Sequence, residues 1–196
     1  MKPLTAHTGR VIPLRRNQVD TDQIIPSEYC RRLTKSGYAD ALFARWREQP
    51  GFAFNDPARA DATVLVAGPD FGTGSSREHA VWALRDWGIA AVIAPSFGDI
   101  FRRNALKNGL LAVALPEPAV GGLLDAAEPD PAFEITVDLR ECVVREPGGS
   151  HAFDIDSRAR WLLMNAMDDI ELTLGLEAAI SEYERGRPTW LPVLGT

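Results

Sequence analysis

The apolar pattern is densest in the middle of the chain, where short hydrophobic runs alternate with segments of helical period. Residues 62–67 (ATVLVA) form a Val-rich run without polar alternation, as expected of a strand buried on both faces. A glycine-rich turn over 68–74 follows. Residues 76–87 then set Ala80, Val81, Leu84 and Trp87 on one helical face, with Gly88 where a helix stops. Residues 89–94 (IAAVIA) read as a second buried strand, ended by Pro95. Ser96 is placed to cap a helix reaching about Asn108, with Asp99 in its first turn and Gly109 as its end. Residues 110–115 (LLAVAL) supply a third buried strand before Pro116. This β-α-β-α-β order predicts parallel strands covered by helices.

The flanks are less regular. Residues 10–14 and 23–25 are short strand candidates. Residues 38–48 have helical spacing, with Leu42, Phe43 and Trp46 on one side. Residues 49–59 read as a loop marked by Pro50, Gly51, Asn55 and Pro57. A short helix is expected at 120–127. Over 133–139, Phe133, Ile135, Val137 and Leu139 alternate inward as in a half-buried strand, and 142–145 with 151–155 read as a hairpin around Gly148-Gly149. Two helical stretches are expected in 157–187, broken near Asp168-Asp169, with Thr173 and Gly175 weakening the second. Residues 188–196 are expected as an exposed end. The prediction is one α/β domain over 1–196. Its mixed, partly parallel sheet, flanked by helices, makes a core at about 9–156, with a helical C-terminal region at 157–187.

Composition and charge narrow the function. A chain of 196 residues with 45% hydrophobic residues can fold without disulfide staples. Its 21 Lys+Arg against 27 Asp+Glu leave a net charge of −6, with no basic run, which argues against non-specific nucleic-acid binding. No apolar stretch approaches the roughly 20 residues of a membrane span. Residues 1–10 hold no apolar signal core, so a cytoplasmic location is expected. Cys30 and Cys142 are the only cysteines, too few for the usual iron–sulfur cluster or a Cys₄ zinc site. His7, His79 and His151 stand apart and complete no ligand spacing. No metal is expected on this chain; one that matters would be carried by another.

The chemistry concentrates in residues 68–79 (GPDFGTGSSREH), between a strand and a helix. Gly72 and Gly74 allow a tight turn and close backbone approach to a ligand. Helix N-terminal amides without partners point into such a turn, and the helix dipole adds partial positive charge. Ser75 and Ser76 add hydroxyls, and Arg77 adds a fork shaped for a carboxylate. A di- or tricarboxylate suits this equipment. A second reading stands beside it: Ser75-x-x-Glu78 is also a capping box, which would only close the helix. A cap alone does not explain why Gly72, Gly74, Ser76 and Arg77 gather there. His79 reads as a helical histidine meeting a neighbouring loop. Other motifs fail. Arg77 stands where a Rossmann fingerprint needs its third glycine, no lysine makes a P-loop, and Gly-Ser-Ser-Arg is not a nucleophile elbow.

The run Gly72-Thr73-Gly74-Ser75-Ser76-Arg77-Glu78-His79-Ala80 resembles the serine loop of the aconitase-superfamily swivel domain. Val19-Asp20-Thr21-Asp22-Gln23-Ile24-Ile25-Pro26 resembles the N-terminal signature of isopropylmalate isomerase (3-isopropylmalate dehydratase) small subunits. Pro95-Ser96-Phe97-Gly98-Asp99-Ile100-Phe101, then Asn104, Asn108 and Gly109, are similar to that family's next helix. The resemblance spans nearly the whole chain and implies a single swivel-type domain. It further implies a hydro-lyase half-enzyme of leucine biosynthesis, interconverting 2-isopropylmalate and 3-isopropylmalate by loss and re-addition of water. On this resemblance it would be active only beside a large subunit that carries a [4Fe–4S] cluster, and would bind no cofactor itself. By position, Ser75 would be the base, and Gly74, Ser76 and Arg77 would hold a substrate carboxylate. Asp22, with Thr21 and His79 in support, would orient site groups at the subunit junction.

The stretch after Ile25-Pro26 would lie near the variable group of the substrate. Tyr29 and Leu33 offer apolar contact there. Cys30 stands where the family commonly has Leu, and Arg31 and Arg32 are free to face a partner, solvent or a further carboxylate. A solvated charged loop with one packing aromatic is an equal reading of the same residues. Cys30 reads as a packing residue, since nothing in the sequence lowers its thiol pKa. Two rivals remain at this stage. One is the small subunit of a related hydro-lyase acting on homoaconitate, citraconate or dimethylmaleate. The other is a non-catalytic anion-binding module or scaffold.

Overall fold

A computed structural model describes residues 3–188 and 190. The sheet is built around β1 (Ala6–Leu14), a strand that serves two neighbours. Its residues 11–14 run parallel to β2 (Val64–Ala67), and its residues 6–10 run antiparallel to β5 (Glu134–Asp138). Parallel pairing continues from β2 to β3 (Ala91–Ala94) and β4 (Leu111–Ala114). Antiparallel pairing continues from β5 to β6 (Val143–Glu146) and β7 (Gly149–Ala152). The result is one mixed seven-stranded sheet in the order β4-β3-β2-β1-β5-β6-β7.

The unbroken apolar runs of β2, β3 and β4 are explained by two cores. Leu65, Val92 and Ala112 face one cluster, with Ala80, Val81 and Leu84 of α2 (Glu78–Trp87) and Phe101 of α3 (Asp99–Lys107). Val64, Val66, Ile93 and Val113 face the other, with Val120, Leu123 and Leu124 of α4 (Glu117–Ala127) and Leu163 of α5 (Ser157–Asn165). Successive side chains of a strand point to opposite faces, so helices on both faces demand apolar residues at every position. β5 departs from this: Ile135 and Val137 are buried while Glu134 is exposed, the alternation of a half-buried strand.

Several expected elements change. Residues 23–25 are not a strand: Gln23 and Ile24 belong to α1 (Thr21–Ile24) and Ile25 is its C-cap, because Asp20 accepts from the Gln23 N–H at 2.7 Å while Gln23 accepts from the Asp20 N–H at 2.9 Å. That reciprocal box starts a helix where short apolar content alone suggested extension. Residues 38–48 are not a continuous helix. Only a 3₁₀ turn forms at Ala39–Ala41, and Phe43 adopts a left-handed φ of 47° as its N–H donates to the Ile24 carbonyl at 2.7 Å. The helical spacing there comes from an aromatic cluster: Phe43 packs on Trp46, Phe52 and Phe54, and Phe54 on Trp87. Ser96 does not cap α3. Gly98 is the N-cap residue, and the Ser96 hydroxyl instead accepts from the Asp70 N–H and donates to its carboxylate, each at 2.8 Å.

A first compact unit ends at Ala166 and a second begins at Met167. The second holds α6 (Asp169–Leu174) and α7 (Glu177–Arg185), so the tail contains three helices with α5, not two. Asp168 caps α6 reciprocally with Glu171, and Gly175 separates α6 from α7. Of the expected exposed end at 188–196, Pro188 and Trp190 are described and exposed; the rest lies outside the described residues.

Candidate active site

Three loops meet at the carboxyl ends of the parallel strands: 15–20 after β1, 68–77 after β2 and 95–98 after β3. In open parallel sheets ligands bind at this edge. The serine turn is stitched between the other two loops. Phe71 exchanges backbone bonds with the third: its N–H reaches the Ser96 carbonyl at 3.1 Å and its carbonyl accepts from Gly98 N–H at 2.9 Å. Toward the first, Gly72 N–H donates to the Val19 carbonyl at 2.7 Å, and Thr21 N–H donates to the Thr73 carbonyl at 2.9 Å. The buried Thr21 hydroxyl then donates to the Ser75 carbonyl at 2.9 Å. Thr21 thus holds the turn by backbone and side chain, one residue before Asp22.

Two glycines in this turn have positive φ, for different reasons. At Gly72 (φ 75°) an added Cβ would stand 2.2 Å from Cγ of Phe101, so there is no room for a side chain. At Gly74 (φ 88°) the nearest atom would be Asp20 Cβ at 3.4 Å, so only the left-handed backbone demands glycine.

The capping box that is the second reading of Ser75-x-x-Glu78 does not form. Arg77 occupies the N-cap position in an extended conformation, with no side-chain cap, and α2 begins at Glu78 rather than at 76. Glu78 accepts from Asn108 Nδ2 at 2.7 Å, and Asn108 also accepts from Trp82 Nε1 at 3.1 Å, which ties α2 to the end of α3. Ser75 and Ser76 are exposed, and neither hydroxyl has a hydrogen-bond partner among the described residues. The backbone N–H groups from Gly74 to His79 likewise meet no acceptor among the described residues. The turn therefore offers a row of free amides at a helix N-terminus, the electrostatics of an anion site.

Arg77, mostly buried, forms an ion pair with the half-exposed carboxylate of Asp22, in the first turn of α1. One edge of the guanidinium is thereby held, which leaves the remaining donors aimed by the pair. Cys30 lies on the 3₁₀ turn Ser27–Arg31, within electrostatic reach of both. Burial pushes its thiol pKa up; Arg77 opposes this shift, and Asp22 and Glu28 add to it.

The remaining expected site residues separate. Tyr29 is half-buried against the core. Arg31 is exposed, and Leu33 is fully exposed with no apolar partner. Arg32 is not free to face a partner or a carboxylate ligand, because its fork is taken by Asp40 at 2.8 and 2.7 Å. His79 packs edge-on against Tyr38 (centroids 5.5 Å) and, tilted, against Trp82 (4.7 Å). Asp20 was not singled out from the sequence, although its cap and its bridge to Thr73 place Asp22; the signal was the readable Asp20-x-x-Gln23 box.

Among the described residues no group of three or more His, Cys, Asp or Glu side chains is arranged to hold a metal ion. A groove of about 450 Å³ lined by Pro13, Phe52, Asp56, Arg59 and Glu128 contains none of the serine-turn residues. Its buried cation, Arg59, is spent on the carbonyls of Val11, Ala127 and Glu128.

Residues 1–118 match the family model of the aconitase C-terminal domain, and residues 122–157 match a LeuD_N model. A 3-isopropylmalate dehydratase small subunit from Acidothermus cellulolyticus is 59% identical over 192 residues, 98% of each chain. One from Streptomyces coelicolor is 53% identical over 192 residues, again 98% of each. Among solved structures, a 3-isopropylmalate dehydratase from Methanocaldococcus jannaschii is 27% identical with a TM-score of 0.67, covering 90% of this chain and 98% of its own.

Proposed function

This chain belongs to the 3-isopropylmalate dehydratase small-subunit family of the aconitase superfamily, and we propose that it supplies the proton-removing half of that hydro-lyase's site, with Ser75 as the base. The family's reaction interconverts 2-isopropylmalate and 3-isopropylmalate in leucine biosynthesis by dehydration and rehydration. The observation that carries the Ser75 assignment is its freedom: the hydroxyl is exposed, caps no helix and stands beside the free amides of 74–79.

A neutral serine hydroxyl is a weak base, so Ser75 must work with its oxygen ionised. The free amides, the N-terminus of α2 and the guanidinium of Arg77 all favour negative charge there. Arg77, Ser76 and the Gly74 N–H bind a substrate carboxylate, which places the adjacent C–H against Ser75 Oγ. Ser75 takes that proton as the C=C bond forms, and returns it on rehydration. Asp22 aims Arg77, and Thr21 fixes the carbonyl of Ser75. Tyr29 and Cys30 flank the variable group of the substrate.

Cys30 and Cys142 do not fit a cluster: they sit on separate elements, Cys30 in the turn after α1 and Cys142 beside β6. The [4Fe–4S] cluster is assigned to the large subunit, where it supplies a Lewis-acidic iron for the departing hydroxyl. A cytoplasmic heterodimer or higher assembly with that subunit, and a dicarboxylate substrate, complete the proposal. No helix among the described residues is long and apolar enough to cross a membrane.

The test is turnover of 3-isopropylmalate by this chain assembled anaerobically with its large subunit. Ser75→Ala is expected to lower kcat by at least about 10³-fold, with assembly and melting temperature unchanged because the hydroxyl has no structural partner. Wild-type turnover in Ser75→Ala would overturn the assignment. A stable complex that turns over only citraconate, dimethylmaleate or homoaconitate would move the substrate to a sister hydro-lyase.

A further inference from the structure

Arg32 is the most heavily engaged side chain of the loop between α1 and β2, and none of its partners lies in the serine turn. Its Nη1 and Nη2 donate to the two carboxylate oxygens of Asp40 at 2.8 and 2.7 Å, and Nη1 also donates to the Gly37 carbonyl at 2.5 Å. The guanidinium lies over the Tyr29 ring at 5.0 Å and near the Tyr38 ring at 5.5 Å. Tyr38 closes the same circuit from inside. Fully buried, it donates its hydroxyl to the carbonyls of Thr34 at 2.7 Å and Arg32 at 3.2 Å. Its N–H donates to Asp86 of α2 at 2.9 Å, and its ring meets His79 of α2. Arg47 fastens the far side through the Ala39 carbonyl at 3.1 Å.

We propose that Arg32 is a positioning residue for substrate selection: it clasps residues 29–40 into a closed ring that fixes the stretch carrying Tyr29 and Cys30, and it does not itself bind substrate. An exposed ion pair alone contributes little. Here one planar fork makes a bidentate carboxylate contact, a carbonyl contact and two ring contacts, which act together. Residues 33–37, on the outside of the ring, are all exposed. Cys30 precedes Arg32 by two residues, so opening the clasp releases the wall nearest the variable substrate group while leaving Ser75, Ser76 and Arg77 in place. The inference rests on the proposed substrate reading.

The assembled enzyme distinguishes a clasp from a substrate ligand. A clasp needs both partners, so Arg32→Ala and Asp40→Asn should each raise KM for 3-isopropylmalate by about tenfold, roughly 1.4 kcal/mol, with kcat within about twofold. The double exchange Arg32→Asp/Asp40→Arg should recover most of the loss. If Arg32 bound substrate directly, Asp40 would compete with it, and Asp40→Asn would leave KM unchanged or lower it; that result overturns the proposal. So does a fall in kcat at constant KM. A second readout needs no turnover. Lys35 is the lysine of the ring, and a lysine-specific protease should cut there at least about tenfold faster in both single variants than in wild type. Equal cutting overturns the clasp. Inactivity of the wild-type complex on 3-isopropylmalate would overturn the substrate reading alone, and the Lys35 cleavage rates would still decide the clasp.

Discussion

At the scale of single residues, the serine turn shows that the same residue type can be required by space or by backbone. Gly72 has both demands: its φ is 75° and its missing Cβ space is filled by Phe101, whose ring is held by Phe71 and Phe97. Gly74 has only the backbone demand. Gly72→Ala should therefore cost more than Gly74→Ala. Overpacking costs about 1–3 kcal/mol and the left-handed conformation about 1–2 kcal/mol, so a drop in melting temperature of roughly 4 °C or more is expected for Gly72→Ala. Gly74→Ala should lose only the backbone part. Equal melting temperatures by calorimetry would show that Phe101 moves aside. These glycines were legible in the sequence as a turn, but the partner that makes Gly72 irreplaceable lies 29 positions on, in another helix. The capping alternative at the serine fails for a related reason. Ser75-x-x-Glu78 matches a capping pattern, yet the chain remains extended at Arg77, and Asn108, distant in sequence, takes Glu78.

At the scale of elements, what could be read from the sequence was what burial dictates at every position. Continuous apolar runs between helices located β2, β3 and β4 to within two residues at each end, because clusters on both faces demand them. Where tertiary contacts set the backbone, period was a poor guide. Phe43 and Trp46 satisfy a helical spacing while serving an aromatic cluster, and Phe43 turns left-handed to reach Ile24. The four-residue α1 shows the converse: too short to persist alone, it depends on its cap and on the loop it bridges. Asp20→Ala removes the side-chain acceptor for the Gln23 N–H and should cost about 1 kcal/mol, as N-cap losses do. Because Asp22 sits two residues into the same element, this loss should also raise the substrate KM. An intact melting temperature combined with an intact KM in Asp20→Ala would mean that the bridge to Thr73 alone places Asp22.

At the scale of the whole molecule, the polar arrangement is an open edge rather than a cavity. The serine turn lies at the carboxyl ends of the parallel strands, Ser75 and Ser76 face outward, and the cation that would meet a carboxylate is already paired with Asp22. In water such donors are weak, because the bulk dielectric reduces a unit-charge interaction at 4 Å to about 1 kcal/mol. A second surface that excludes water over the turn strengthens the same contacts several-fold without moving any residue. The geometry therefore calls for a covering surface, and the small-subunit names of the relatives imply a large subunit that could supply it. Isolated, the chain should give no measurable dehydration and should bind a dicarboxylate such as 3-isopropylmalate no tighter than about millimolar, some −4 kcal/mol. On assembly with the large subunit, affinity should rise by at least about tenfold, and Arg77→Lys should remove most of that gain, since lysine keeps the charge but not the fork. Titration calorimetry on the free chain, the complex and the Arg77→Lys complex measures all three. Micromolar binding by the free chain would show that the turn is a complete anion site by itself, with no need of a covering surface.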